Sequence, residues 1–87
     1  MIIPKDPDGV LDYSFDWTDW LAGDEILTSD MIVPAGLTKD GEEHITAIAT
    51  VWLSGGTAGT SYTATNRITT VGGRTDDRSI TVRVKER

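Results

Sequence analysis

Polar and apolar residues alternate along most of this chain, and the alternation breaks at glycine, proline and aspartate. The clearest run sets Leu11, Tyr13, Phe15 and Trp17 between Asp12, Ser14 and Asp16. A period of two sends successive side chains to opposite faces, so the run predicts a strand with one buried and one wet face. After Trp17 the spacing lengthens through Trp20 and Leu21. That predicts a single helical turn ending at Gly23, with Trp20 or Leu21 plugging an open end of the molecule. Ile26 to Val33 predicts a second strand of mixed phase, because Ile26 is even whereas Met31 and Val33 are odd. A β-bulge near Ser29-Asp30 reconciles them, and Pro34-Ala35-Gly36 ends the strand. Leu37 tucks under the following loop, Lys39-Asp40-Gly41-Glu42 reads as a turn, and a third strand runs from about Glu43 to Ala49. Its inward face holds either Ile45, Ala47 and Ala49 or Ile48. A fourth strand near Thr50 to Ser54 puts Val51 and Leu53 on one face and Trp52 on the other. Trp52 is then either core through a register change or an exposed anchor for a partner.

A glycine-rich corner, Gly55-Gly56-Thr57-Ala58-Gly59, opens into the longest strand, which ends at Thr70. Tyr62, Ala64 and Ile68 share its inward face, with Asn66 and Thr70 in the same register. Thr63, Thr65, Arg67 and Thr69 form the outward row. Val71-Gly72-Gly73-Arg74 reads as a hairpin, and the last strand runs from about Arg78 to Lys85. For Ile80, Val82 and Val84 to face inward too, the hairpin loop must be odd. Three residues set Ile80 opposite Asn66, and five, Gly72 to Asp76, set it opposite Ile68. Matching apolar with apolar favours five. Six or seven short strands, no long helix and frequent turn signals predict an all-β fold. The expectation is a small antiparallel sandwich of the immunoglobulin or fibronectin-III type, with Gly59-x-x-Tyr62 as its tyrosine corner. Pro4, Pro7 and the turn sequence Asp6-Pro7-Asp8-Gly9 make Met1–Gly9 a short N-terminal arm, either reaching a neighbour or disordered. Residues 10–87 form the single domain.

Size and charge narrow the picture. A chain of 87 residues sits near the lower limit for a domain without staples. It has no cysteine, so neither a disulfide nor a thiolate metal site is open to it. That favours a reducing compartment, or stability drawn from partners. No run approaches the ~18 apolar residues that span a bilayer, and Met1-Ile2-Ile3-Pro4-Lys5 is too short for a secretory signal. The expectation is a soluble chain made and used without export or membrane contact. Net charge is −6. Residues 1–43 carry eleven acids against two lysines, and residues 44–87 carry six bases against three acids. No clustered basic face answers a phosphate backbone, so nucleic acid is not an expected partner. The uneven halves either steer like subunits head to tail or are simply solvated.

Candidate chemistry is sparse. His44 is the only histidine and opens a strand, where a surface role is the ordinary one. Asp6, Asp8 and Asp12 do not fit a calcium loop, whose glycine and closing glutamate fall elsewhere. Asp16, Asp19, Asp24 and Glu25 either gather round a cation near Trp20 or are solvated. Ser54, Ser61 and Ser79 have no histidine at a triad spacing. Gly55-Gly56-x-x-Gly59 precedes a strand, so it offers no helix terminus to a phosphate. Trp17, Trp20 and Trp52 form either a sugar-stacking platform or core. Neither an enzyme, a metal site nor a cofactor is expected.

Several runs together resemble the fiber–tail adaptor proteins of tailed bacteriophages. They are Leu11–Trp17 with Trp20-Leu21, Val33-Pro34-Ala35-Gly36-Leu37, Val51–Tyr62, Asn66-Arg67-Ile68-Thr69-Thr70 and Gly73–Ser79. The likeness spans about residues 5–85 and is most specific at Trp52-Leu53-Ser54-Gly55-Gly56 through Tyr62. Met31 stands where an aromatic residue is expected. The resemblance implies an immunoglobulin-like structural protein of the virion, assembled in the bacterial host's cytoplasm. It would be present in several copies and bind tail, fiber or head-completion proteins. A capsid decoration protein and a receptor- or carbohydrate-binding module are the alternatives. Candidate contact residues are Thr63, Thr65, Arg67 and Thr69, with Trp52 and with Pro4 and Lys5 of the arm.

Overall fold

Seven strands and one helical turn organise residues 2–85, which the computed structural model describes. They are β1 (Ile2–Lys5), β2 (Leu11–Asp16), α1 (Thr18–Leu21), β3 (Ile26–Ile32), β4 (Leu37–His44), β5 (Ile48–Gly55), β6 (Ser61–Thr70) and β7 (Thr75–Val84). One sheet has the order β1-β7-β6-β3 and the other β2-β5-β4. Their inward faces make one core, because alternation gives each strand a single apolar side. Phe15 comes from β2, Ala49, Val51 and Leu53 from β5, Ala64 and Ile68 from β6, and Ile80 and Val82 from β7. Trp17 and Leu21 close the α1 end of that core, at 0 and 2 % exposure, while Trp20 is half-buried beside them.

Labelled in chain order, β2, β5 and β4 are the B, E and D strands of an immunoglobulin-type sandwich, and β3, β6 and β7 are C, F and G. The tyrosine corner is formed as well: the Thr57 N–H donates to the Tyr62 hydroxyl at 3.0 Å. Gly36 and Gly56 make room for that ring and for β7. Both have positive φ, +102° and +95°. A Cβ on Gly36 would stand 2.7 Å from Tyr62 Cε1, and one on Gly56 would stand 2.6 Å from Val84 Cγ2.

Four expectations are corrected. Residues 2–5 do not stay outside the sheets: β1 pairs with β7, in parallel, so the sandwich is not wholly antiparallel. Pro4 is tolerated because β1 is an edge strand, where a missing N–H breaks no ladder. Met1, the arm's first residue, lies outside the described residues. The β3 bulge falls at Leu27, between the pairs Ile26–Thr70 and Thr28–Thr69. Ser29-Asp30 stays in register because Asn66 Nδ2 donates to Ser29 Oγ at 2.8 Å and to the Asp30 carbonyl at 3.3 Å. Lys39–Glu42 is not a turn but the bulged middle of β4. The chain instead reverses at residues 45–47, which the Trp17 N–H and the Ile26 N–H anchor by donating to the Ala47 and Thr46 carbonyls. Of the residues offered for that inward face, Ala49 alone is buried; Ile45 is exposed, and Ala47 and Ile48 are half-buried.

The β6–β7 loop is odd, as parity requires, but short. Thr70 N–H donates to the Arg74 carbonyl across Val71-Gly72-Gly73, and Ile80 faces Ala64, not Ile68. Inward residues of neighbouring strands need not match one another, because they pack against the opposite sheet. The tighter register carries Val84 up to the glycine corner, where it exchanges backbone hydrogen bonds with Gly59 and Thr60.

Candidate functional site

The outward row of β6 lies in the middle of the four-stranded sheet and is zipped to β7. Thr65 Oγ1 and Ser79 Oγ share a hydrogen bond of 2.8 Å, and Thr69 Oγ1 and Thr75 Oγ1 share one of 3.3 Å. Between them Arg67 forks onto Asp77 at 2.8 and 3.0 Å. That pairing raises the guanidinium's pKa and lowers the carboxyl's, the hydrogen bond being the larger cause for each. Thr63 faces Thr81 across the same pair of strands. Thr28 and Asp30 of β3 extend the rows through Thr69 and Arg67. The result is a face of short hydroxyl side chains around one ion pair. Exposed Ile32 lies on β3 and exposed Ile2 on β1, at either edge.

The remaining predicted contact residues lie elsewhere. Pro4 is exposed on β1. Lys5 is not: it is 4 % exposed, and its ammonium donates to the Gly55 carbonyl at 2.7 Å and the Asp6 carbonyl at 2.8 Å. It ties the β1 edge of one sheet to the end of β5 in the other, which makes it a strut between sheets and no contact surface. Trp52 is half-buried on the outer face of the three-stranded sheet, between Asp12 of β2 and Gly41 of β4. The structure therefore sets the hydroxyl row and Trp52 on opposite faces.

The densest polar chemistry, at the α1 end, is largely invisible to the strand pattern. The buried Trp17 indole donates to Asn66 Oδ1 at 2.9 Å. Arg78 lies 4.2 Å over the Trp17 ring and donates to the Asp16 carbonyl at 2.6 Å. Arg74 lies 4.3 Å over Trp20 and donates to the carbonyls of Trp20 and Leu21 at 3.2 and 2.7 Å. It also pairs with Asp24 at 3.3 Å. Asp24 further accepts from the N–H groups of Glu25 and Gly72. These donors, with the Thr70 hydroxyl first among them, hold its pKa down at about 2. Asp16 accepts from the hydroxyl and N–H of Thr18, and its pKa is lowered by those bonds. Of the acids expected near Trp20, Asp16 and Asp24 thus hold backbone N–H groups, and Asp19 and Glu25 are exposed. Asn66 carries a signal that sequence reasoning could use, since an amide at an inward strand position requires buried partners. The two arginines carry none, because their targets are backbone carbonyls and ring faces distant in sequence.

These contacts change the charge picture. Lys5, Lys39, Arg67, Arg74 and Arg78 are all engaged within the chain. Of the lysines and arginines among the described residues, only Arg83 and Lys85 have no ion pair or side-chain hydrogen bond of their own. Unpaired carboxylates therefore dominate the accessible charge. His44 is exposed on β4, and Ser54 and Ser79 bond to Asp40 and Thr65. Among the described residues no group of three or more histidine, aspartate or glutamate side chains is placed to hold a metal ion.

No curated protein matches the chain. The family model of the podophage GP4 fiber-tail adaptor protein gp77 matches residues 5–83, which is nearly the whole chain and takes in β2 through β6 and all but the last residue of β7. The chain belongs to the podophage fiber–tail adaptor family.

Proposed function

We propose that the chain is a non-enzymatic structural adaptor of the phage particle. It is assembled in the host cytoplasm, is present in several copies, and joins a tail protein to a fiber protein. The observation that carries this reading is the family match over residues 5–83. The hydroxyl row Thr63, Thr65 and Thr69 with Arg67 is the first contact surface. A ladder already paired across β6 and β7 at Thr65, Arg67 and Thr69 can meet a partner with little reorganisation, which limits the entropy lost on docking. An adaptor also needs a second surface, and the outer face carrying Trp52 lies on the opposite side. Exposed Pro4 marks the rim of the first face.

Cryo-electron microscopy of the virion tests the reading. The expected result is a seven-stranded sandwich at the tail–fiber joint, repeated round the tail axis, with the β6–β7 face against a neighbour. Absence of the chain from purified particles overturns the adaptor role. Presence with that face open to solvent overturns its assignment as a contact.

A further inference from the structure

Three tryptophans punctuate this chain, and two of them are covered by arginines of the chain itself. Trp52 is different. It sits mid-strand on β5 at the centre of the three-stranded sheet's outer face, its indole lying over Gly41, where a Cβ would stand 3.7 Å from the ring. Among the described residues, no cation covers that ring and its indole N–H makes no hydrogen bond. Around it stand Asp12 on β2, and Asp40 and Glu43 on β4, all exposed. Asp40 accepts from Ser54 Oγ at 3.0 Å and Ser14 shares a 2.8 Å bond with Thr50, so the short side chains on either side of Trp52 bond to one another. Lys39 and Glu42, opposite inward-facing Leu53 and Val51, fall on the other side of β4 from this face, where they pair at 3.0 Å.

We infer that this face docks a cationic protein surface, with an arginine or lysine of the partner stacked on Trp52 and further cations meeting Asp12 and Glu43. This rests on the adaptor reading and adds the chemistry of one partner. An aromatic anchor at the centre of a polar rim is the usual anatomy of an interface's energetic core. A cation over an indole face gains from the ring quadrupole, and flanking carboxylates add complementary charge. A second copy of the chain does not fit. Its accessible charge is itself acidic, and the free cations among its described residues, Arg83 and Lys85, lie at the far end of β7 and just beyond it. The chain's own chemistry shows the preferred partner of its indoles, since Arg74 and Arg78 sit at 4.3 and 4.2 Å from Trp20 and Trp17.

The test supplies variants from a plasmid to phage lacking the gene and counts copies per purified particle by quantitative mass spectrometry. Asp12→Lys with Glu43→Lys reverses the rim charge at exposed positions. As a charge-matched control, Asp19→Lys with Glu25→Lys makes the same change at the α1 end. Melting curves confirm that both fold. Incorporation of the rim variant is expected to fall at least about tenfold, with the control near the unaltered chain. Trp52→Phe should retain more incorporation than Trp52→Leu, because only the aromatic ring faces a cation. Equal incorporation of rim variant and control overturns the inference and leaves the adaptor reading standing. Self-association of the unaltered chain that the rim variant abolishes also overturns it, by giving the face to a second copy. If the unaltered chain itself does not enter particles, the adaptor reading fails and this inference with it.

Discussion

At the scale of single residues, stability is concentrated where one side chain completes another's hydrogen bonding. Asn66 is fully buried, receives the Trp17 indole and reaches back to Ser29 and the Asp30 carbonyl. Asn66→Ala leaves a buried indole N–H without an acceptor and opens a gap between the sheets. The expected loss is about 3 kcal/mol, read from urea unfolding. A loss below about 1 kcal/mol would mean that the indole finds another acceptor. Gly36→Ala tests the corner in a different way. Its Cβ would enter the Tyr62 ring at a φ of +102°, so strain and displacement of the tyrosine act together. We expect a cost of about 2 kcal/mol and loss of amide-exchange protection at Thr57, whose N–H the Tyr62 hydroxyl accepts.

At the scale of elements, α1 and the β6–β7 hairpin behave as one clasp. A helix of a single turn has no stability of its own, and Arg74 holds this one by its last carbonyls while Asp24 holds the hairpin's Gly72. The clasp is pH-sensitive in a definite direction. Asp24 has its pKa depressed from 3.8 to about 2, so its stabilising contribution is complete above about pH 4 and disappears as pH falls through about 2. The lowered pKa values of Asp16 and Asp77 act with the same sign. Acid titration followed by tryptophan fluorescence should therefore show stability declining between pH 4 and 2. In Asp24→Asn the neutral-pH stability should be lower and the decline shallower. An unchanged acid limb in that variant would assign the titration to the other carboxylates.

At the scale of the whole molecule, β1 decides which strand forms the edge of the four-stranded sheet. It pairs with the backbone edge of β7 along Thr81 to Val84, and its Lys5 bridges to Gly55 in the opposite sheet. Removing residues 1–5 uncovers a flat strand edge, which invites pairing with another chain. The truncated protein should melt at lower temperature and sediment as larger species than the intact chain at the same concentration. Unchanged melting and sedimentation would return these residues to the role of a detachable arm.

Much of this fold was legible in the residues themselves. Strand alternation predicts the inward faces of β2, β6 and β7, and Gly59-x-x-Tyr62 predicts the corner, because period and turn chemistry are local properties. Parity even predicts an odd hairpin loop. The tertiary structure decided the rest. The phase change of β3 has to occur somewhere before Met31, and only the grip of Asn66 on Ser29 and Asp30 moves it to Leu27. Lys39–Glu42 has the composition of a turn, yet it continues as strand because β5 offers β4 a full ladder of partners. Pro4 argues against a strand until an edge position makes its missing N–H harmless. Lys5 reads as a surface charge, and it becomes an internal strut once two backbone carbonyls converge on it. The candidate faces divide in the same way. Alternation by itself sends Thr63, Thr65, Arg67 and Thr69 outward. That Trp52 stands apart from them, uncovered and ringed by carboxylates, depends on which cations the folded chain consumes, and those contacts join residues far apart in sequence.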